Sequence, residues 1–216
     1  MKVLPSYLKI KDKLPLFLDI VKEYNKNVNE NLKIDTIHVD VMDKKFVPYE
    51  GVDLEDIKYI KERGLKADVH LMCEKPLEDK YIDKAIEYGA DAITVHVEIE
   101  NLEKVLKYLY SKKIVVGLSI NPNTDPEKLK EYICYINKVL VMSVEPGKGG
   151  QEFIYTTYDK VKKIKKINSI LEITVDGGVN DTNAKKLLDA SVDNIVCGSY
   201  ITNDLVNIEE NIKKII

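Results

Sequence analysis

Within IHVDVMD, at positions 37–43, His38, Asp40 and Met42 fall at alternate positions of an otherwise apolar run. In an extended chain, side chains two apart share a face. An imidazole, a carboxylate and a thioether would therefore line one side of a single strand. The same alternation returns in DVHLM (68–72), which carries Asp68, His70 and Met72. His96 and Glu98 end ITVHVE, and Asp176 stands before two glycines in VDGG. Burying polar and ionisable groups is costly unless they are partnered, so their repeated placement in strand-like runs asks for a chemical reason. Two imidazoles and two carboxylates give one: His38, Asp40, His70 and Asp176 form a candidate metal-binding set. Mixed nitrogen and oxygen donors suit Zn²⁺, Fe²⁺, Mn²⁺ or Co²⁺.

Apart from Met1, every methionine lies at the end of a β-rich run: Met42, Met72 and Met142. A collar of deformable thioethers around polar groups suits a pocket shielded from water. Glycines gather nearby in sequence. VEPGKGGQ (144–151), VDGGV (175–179) and GSY (198–200) each follow a β-rich run. Successive glycines free backbone N–H groups to form a nest around an anion, which points to a phosphate. Neither G-x-x-x-x-G-K-[ST] nor G-x-G-x-x-G occurs, so no nucleotide fingerprint accompanies these loops.

The elements that must hold these residues alternate. Eight β-branched runs cover 2–8, 33–42, 66–72, 91–98, 113–120, 137–144, 171–178 and 193–200. Amphipathic, charged stretches at 52–64, 78–89, 101–113, 125–136, 158–167 and 182–191 carry apolar residues at three and four spacing and are predicted as helices. Eight repeated units without a linker predict one (β/α)8 barrel spanning 1–216, with an open doubly wound sheet as the alternative. In such a barrel, catalytic groups gather at the C-terminal ends of the strands. The polar residues named above fall late in their runs.

The composition is that of an ordinary globular protein: 216 residues, 44% hydrophobic, 32% charged and a formal net charge of −3. A slightly acidic chain has no broad electrostatic case for nucleic acid or an anionic membrane. No apolar run reaches the roughly 18 residues of a spanning helix. The first residues do not read as a signal peptide. Cysteines at 73, 134 and 197 form neither a disulfide framework nor a C-x-x-C site. A cytoplasmic location is expected.

Taken together, HVDVMDKKFVP (38–48), DVHLM (68–72), NPNT (121–124), LVMSVEPGKGGQEFI (140–154), VDGGVN (175–180) and CGSY (197–200) resemble the ribulose-phosphate 3-epimerase family. PSYL (5–8) resembles the family's first-strand motif. The resemblance runs in register from residue 1 to about 205. It implies a (β/α)8 barrel that interconverts D-ribulose 5-phosphate and D-xylulose 5-phosphate with a divalent metal. By that resemblance His38, Asp40, His70 and Asp176 are the metal ligands. Asp40 and Asp176 are also the catalytic acid and base. Ser6 and His70 lie beside the sugar. Gly149, Gly150, Gly178, Gly198 and Ser199 fall where the family holds the phosphate, and Met42, Met72 and Met142 pack around the reacting carbons. It further implies a homo-oligomer, either dimer or hexamer.

Three positions depart from the family pattern. Lys44 stands where glycine is usual, Lys148 where phenylalanine is usual, and Tyr49 where asparagine is common. None removes a proposed ligand. They leave a phosphorylated ketohexose such as allulose 6-phosphate as an alternative substrate of the same chemistry. A metal-free phosphosugar decarboxylase or aldolase fits poorly with a four-residue metal set. A noncatalytic phosphosugar binder has no need of two opposed aspartates. His96 and Glu98 are expected to orient ligands or to form a satisfied polar layer.

Overall fold

Period-two alternation of β-branched residues sets eight short strands, and the amphipathic stretches between them cover the strands from outside. The computed structural model describes residues 1–215. Its strands are β1 (Lys2–Pro5), β2 (Thr36–Met42), β3 (Lys66–Met72), β4 (Ala92–His96), β5 (Val115–Ile120), β6 (Lys138–Met142), β7 (Glu172–Asp176) and β8 (Asn194–Cys197). The helices are α1 (Leu14–Asn27), α2 (Asp56–Glu62), α3 (Tyr81–Glu87), α4 (Leu102–Ser111), α5 (Thr157–Ile167), α6 (Asp181–Asp189), α7 (Ser199–Thr202) and α8 (Ile208–Ile215). All pairings within the sheet are parallel, in the order β1-β8-β7-β6-β5-β4-β3-β2. An isolated parallel bridge between Ser6 and His38 joins β1 to β2. The result is a (β/α)8 barrel, as expected, and the seam where it closes lies at one of the candidate ligands.

The main apolar core lies between strands and helices. Val39, Val41, Val69 and Leu71 point outward and are buried beside Ile57, Ile60 and Ile82 of the surrounding helices. In α4 the buried positions are Leu102, Val105, Leu106 and Leu109, a single helical stripe. Each such side chain contributes about 1.5–3 kcal/mol on burial, and Leu106→Ala would cost roughly 2–5 kcal/mol. The barrel interior differs from this. Leu4, Leu140, Met142, Val144 and Val196 make a small apolar cluster. The β2–β4 side of the interior is polar, with His38, Asp68, His70, Thr94 and His96 all buried.

Several boundaries differ from the sequence expectation. β1 stops at Pro5, which has no N–H to continue a ladder. The predicted helix over 125–136 is instead two 3-10 segments, Pro126–Glu131 and Ile133–Tyr135. Tyr132, at φ −118° and ψ 1°, interrupts the helical path between them. Helices α1, α7 and α8 were not anticipated, and α7 takes Ser199 and Tyr200 from the expected eighth strand. α1 nonetheless buries Leu14, Phe17, Leu18, Val21 and Tyr24 at helical spacing.

Candidate active site and metal centre

Register decides which polar groups meet. His38 stands opposite Asp68, Asp40 opposite His70, and Met42 opposite Met72. On the other side Met142 stands opposite Asp176. The interior is therefore layered. His38 and Asp68 lie lowest, Asp40 and His70 above them, and the methionines toward the mouth. Because β2 and β3 continue to Met42 and Met72, His38 sits at mid-strand, deeper than an element-closing residue.

One donor atom from each of His38, Asp40, His70 and Asp176 lies within 4.8 Å of all the others. His38 offers Nε2, at 3.3 Å from Asp40 Oδ1 and 3.8 Å from Asp176 Oδ2. His70 offers the other kind of ring nitrogen: its Nδ1 lies 3.3 Å from Asp40 Oδ1 and 3.8 Å from Asp176 Oδ2. His38 Nε2 is buried and has no aligned hydrogen-bond partner among the described residues. An orphaned imidazole nitrogen aimed between two carboxylates is what a cation site requires, so the residues present fit a divalent metal ion.

The two carboxylates have unlike surroundings. Ser6 Oγ donates to Asp40 Oδ2 at 2.6 Å, leaving Oδ1 for the histidines. Burial opposes the charge on Asp40, but His38 and His70 more than offset it and hold its pKa well below the usual range. Asp176 is pushed the other way, first by burial and then by the neighbouring Asp40. Its backbone is fixed from the residue after β6: the Ser143 hydroxyl bridges the carbonyl oxygens of Asp176 and Gly177 at 2.8 and 2.6 Å. His38 is raised to about 10, since Asp40 and Asp68 outweigh the cost of burying its charge. His70 is lowered to about 4, chiefly by burial. These directions describe the protein without a bound cation.

A cavity opens above this cluster. Ser6, Asp40 and Asp176 line it together with Met42, Met72 and Met142. The three methionines thus lie on one cavity wall, with Met42 and Met72 packed on Phe46 and Val47. Gly149, Gly150, Gly178, Gly198 and Ser199 line the far side of the same cavity. His38 and His70 lie beneath its floor, fully buried. Gly178 has φ +61°, and a Cβ there would come within 2.7 Å of Phe153 N. Only glycine lets the loop after β7 pack so closely on the loop after β6.

Several residues lie beyond the expected set. Lys9, not singled out from the sequence, lines the cavity and lies over the glycines: a Cβ on Gly150 would fall 2.4 Å from Lys9 Nζ. Lys148 lines the cavity as well. Lys138 crosses the barrel floor to pair with Asp68, whose other oxygen lies 3.1 Å from His38 Nδ1. Period two was the available signal, because Lys138 shares the inward face of Leu140 and Met142. Gly117 makes room first for Thr94 and then for Lys138: a Cβ there would lie 2.1 Å from Thr94 Oγ1 and 3.1 Å from Lys138 Cε. Of the departures from the family pattern, Lys44 has φ +62°, the left-handed region where glycine is favoured. The Tyr49 ring packs against Gly147, within 2.6 Å of where a Cβ would be.

Fold and site together define a (β/α)8 barrel with a His/Asp cluster able to hold a metal ion toward the C-terminal ends of its strands. The sequence matches the ribulose-phosphate 3 epimerase family over residues 16–202. It is 36% identical to the ribulose-phosphate 3-epimerase of Helicobacter pylori (strain J99) over 209 aligned positions, 93% of this chain and 90% of that one. It is also 36% identical to the ribulose-phosphate 3-epimerase of Aquifex aeolicus, with 77% of each chain covered. Among solved structures it is similar to 3-hexulose-6-phosphate synthase from Salmonella typhimurium. There the TM-score is 0.71 at 18% identity, with 100% of this chain and 96% of that one covered; at that identity the likeness concerns the fold alone. The chain belongs to the ribulose-phosphate 3-epimerase family and is an isomerase of that general class. Among the described residues no helix is long and apolar enough to cross a membrane.

Proposed function

We propose that the protein inverts C3 of D-ribulose 5-phosphate to give D-xylulose 5-phosphate, with Asp40 and Asp176 moving the protons. The observation that carries this reading is the pair of unlike carboxyls, brought from β2 and β7 to one cavity above two buried imidazoles. Inversion beside a ketone removes a proton from one face of the carbon and delivers another to the opposite face. One carboxyl cannot serve both faces, so two are needed.

Asp40, fixed by Ser6, accepts the C3 proton in the forward direction. Asp176, brought in on β7, delivers the second proton to the other face. The C–H electron pair passes into an enediolate and returns to carbon when the second proton arrives. Afterwards Asp40 carries the proton and Asp176 is ionised, which is the starting state for the reverse reaction. The two titrate as a coupled pair. His38, Asp40, His70 and Asp176 would hold the divalent cation. When bound, its chemistry is electrostatic: positive charge beside the oxygens on which negative charge develops. Zn²⁺ and Fe²⁺ suit the donor set best.

The remote end of the substrate is a phosphate dianion. Backbone N–H groups near Gly149, Gly150, Gly178, Gly198 and Ser199 receive it, with Lys9 and Lys148 adding positive charge. Binding energy from this end positions C3 between the aspartates. The methionine collar excludes water from the reacting carbons.

The test is an epimerase assay with D-ribulose 5-phosphate, run after chelation and again after adding back Zn²⁺, Fe²⁺, Mn²⁺ or Co²⁺. Turnover restored by metal, with deuterium from D₂O appearing at C3, is the expected result. A clear preference for a phosphorylated ketohexose would overturn the substrate assignment. Full activity in the metal-stripped protein would overturn the role of the cluster.

A further inference from the structure

His96, Glu98 and the turn at 121–124 do not line the cavity, yet a continuous chain of hydrogen bonds connects them to His70. The chain begins outside the barrel. Lys160 of α5 donates to the carbonyl oxygens of Asn121 and Pro122 at 2.6 and 2.7 Å and pins the turn. The turn in turn holds Glu98. Asn121 N donates to Glu98 Oε1 at 2.9 Å, and the Thr124 hydroxyl donates to the same oxygen. Glu98 Oε2 remains, 3.1 Å from His96 Nδ1. His96 Nε2 then lies 2.8 Å from His70 Nε2.

Proton bookkeeping along this chain has one solution that leaves a nitrogen for a cation. A carboxylate only accepts, so His96 Nδ1 carries hydrogen. Two ring nitrogens at 2.8 Å need one proton between them. If His96 is neutral, its Nε2 is the acceptor and His70 Nε2–H is the donor. His70 Nδ1 is then bare, and it is Nδ1 that faces Asp40 and Asp176. The other histidine is set in the opposite sense. Lys138 occupies one oxygen of Asp68, the second oxygen takes His38 Nδ1–H, and Nε2 is left bare toward the cluster.

We propose that His96 and Glu98, braced by the 121–124 turn, are positioning residues that lock His70 with Nδ1 free for the metal, while Asp68 and Lys138 lock His38 in the opposite tautomer. This rests on the metal site described above. It gives a task to NPNT, His96 and Glu98, which the catalytic reading leaves unused. Outer partners of this kind typically change metal affinity by 10–100-fold when removed.

With three histidines in the chain, six ring nitrogens can be read individually in ¹⁵N-histidine-labelled, zinc-loaded protein. Long-range ¹H–¹⁵N spectra should show hydrogen on Nδ1 of His96, Nε2 of His70 and Nδ1 of His38. A doubly protonated His96, or hydrogen on His70 Nδ1 in the zinc form, would overturn the proposal. In parallel, Glu98→Gln should weaken zinc binding by at least about tenfold, measured by chelator competition. Inorganic phosphate affinity should stay as in the wild type. Thr124→Val should weaken zinc binding in the same direction, and Thr124→Ser should restore it. These two remain informative if Glu98→Gln fails to fold. Zinc binding unchanged in both Glu98→Gln and Thr124→Val would sink the positioning role while leaving the metal site intact. A wild-type protein that binds no zinc would sink both.

Discussion

Replacing Lys138 by Met separates the electrostatics of the barrel floor from its packing. Lys138 and Asp68 are 4% and 2% exposed and form an ion pair inside the barrel. Methionine fills much of the same volume beside Gly117 but removes the lysine from Asp68, leaving His38 as its remaining partner. Stranding one member of a buried pair costs about 3–5 kcal/mol. For a chain of this size, each kcal/mol lowers the melting temperature by roughly 2–4 °C. The expected drop is therefore about 6–20 °C, measured on chelator-treated protein so that bound metal does not contribute. The sign of the pH dependence follows from Asp68. Burial alone would raise its pKa, but Lys138 and His38 overcome this and hold it well below the usual range. In the wild type that stabilisation is present above the ordinary carboxylate range and fades as pH falls. In Lys138→Met the lysine's share of that lowering is lost and the folded pKa moves up toward the unfolded one. The variant therefore loses less stability than the wild type on acidification, and the deficit narrows as pH falls. Adding Asp68→Leu removes both charges and should restore stability to within about 1 kcal/mol of the wild type or better. The same double variant leaves His38 Nδ1 without an acceptor and should bind zinc 10–100-fold more weakly. Urea and thermal denaturation read the first effect, and chelator competition reads the second. A loss below about 1 kcal/mol for Lys138→Met, or a double variant as unstable as the single, would refute the electrostatic account.

Asp40→Asn and Asp176→Asn should each lower turnover at least about 10²-fold, and the double variant should fall little further, since either loss already stops inversion. Metal content must be matched in that comparison; near-wild-type turnover in both metal-loaded variants would rule out the two-carboxyl mechanism. Lys9→Ala should raise KM for the phosphorylated substrate about tenfold with kcat within about twofold, and the difference should shrink at high salt. An unchanged KM at low salt would remove Lys9 from phosphate binding. Lys44→Gly should stabilise the fold by roughly 0.5–1 kcal/mol by relieving a left-handed backbone, with its exposed ion pair to Glu50 contributing little against this. Urea denaturation checks the sign, which Lys44→Ala should not reproduce.

The sequence by itself determined the faces of the strands. Alternation is a property of the extended chain, so His38, Asp40 and Met42 had to share one side wherever β2 packed, as did Asp68, His70 and Met72. It also determined the repeat of strand and helix, and with it the barrel, because each unit needs its neighbours to bury its apolar side. The glycine runs marked where backbone must turn, and Lys44 kept the left-handed conformation of a glycine position. The broken helix over 125–136 was not legible, since its apolar spacing is helical and the space left beside α5 is not a sequence property. Tertiary structure alone decided which atoms meet. Lys138 reaches Asp68 across 70 residues because register sets both at the barrel floor and Gly117 leaves a passage. Lys9 lies over Gly150 because the turn after β1 folds across the loop after β6. The choice of Nε2 on His38 and Nδ1 on His70 has the same origin. An imidazole can offer either nitrogen in an unfolded chain, and fixed partners on neighbouring strands, Asp68 for one and His96 for the other, decide which nitrogen faces the cluster.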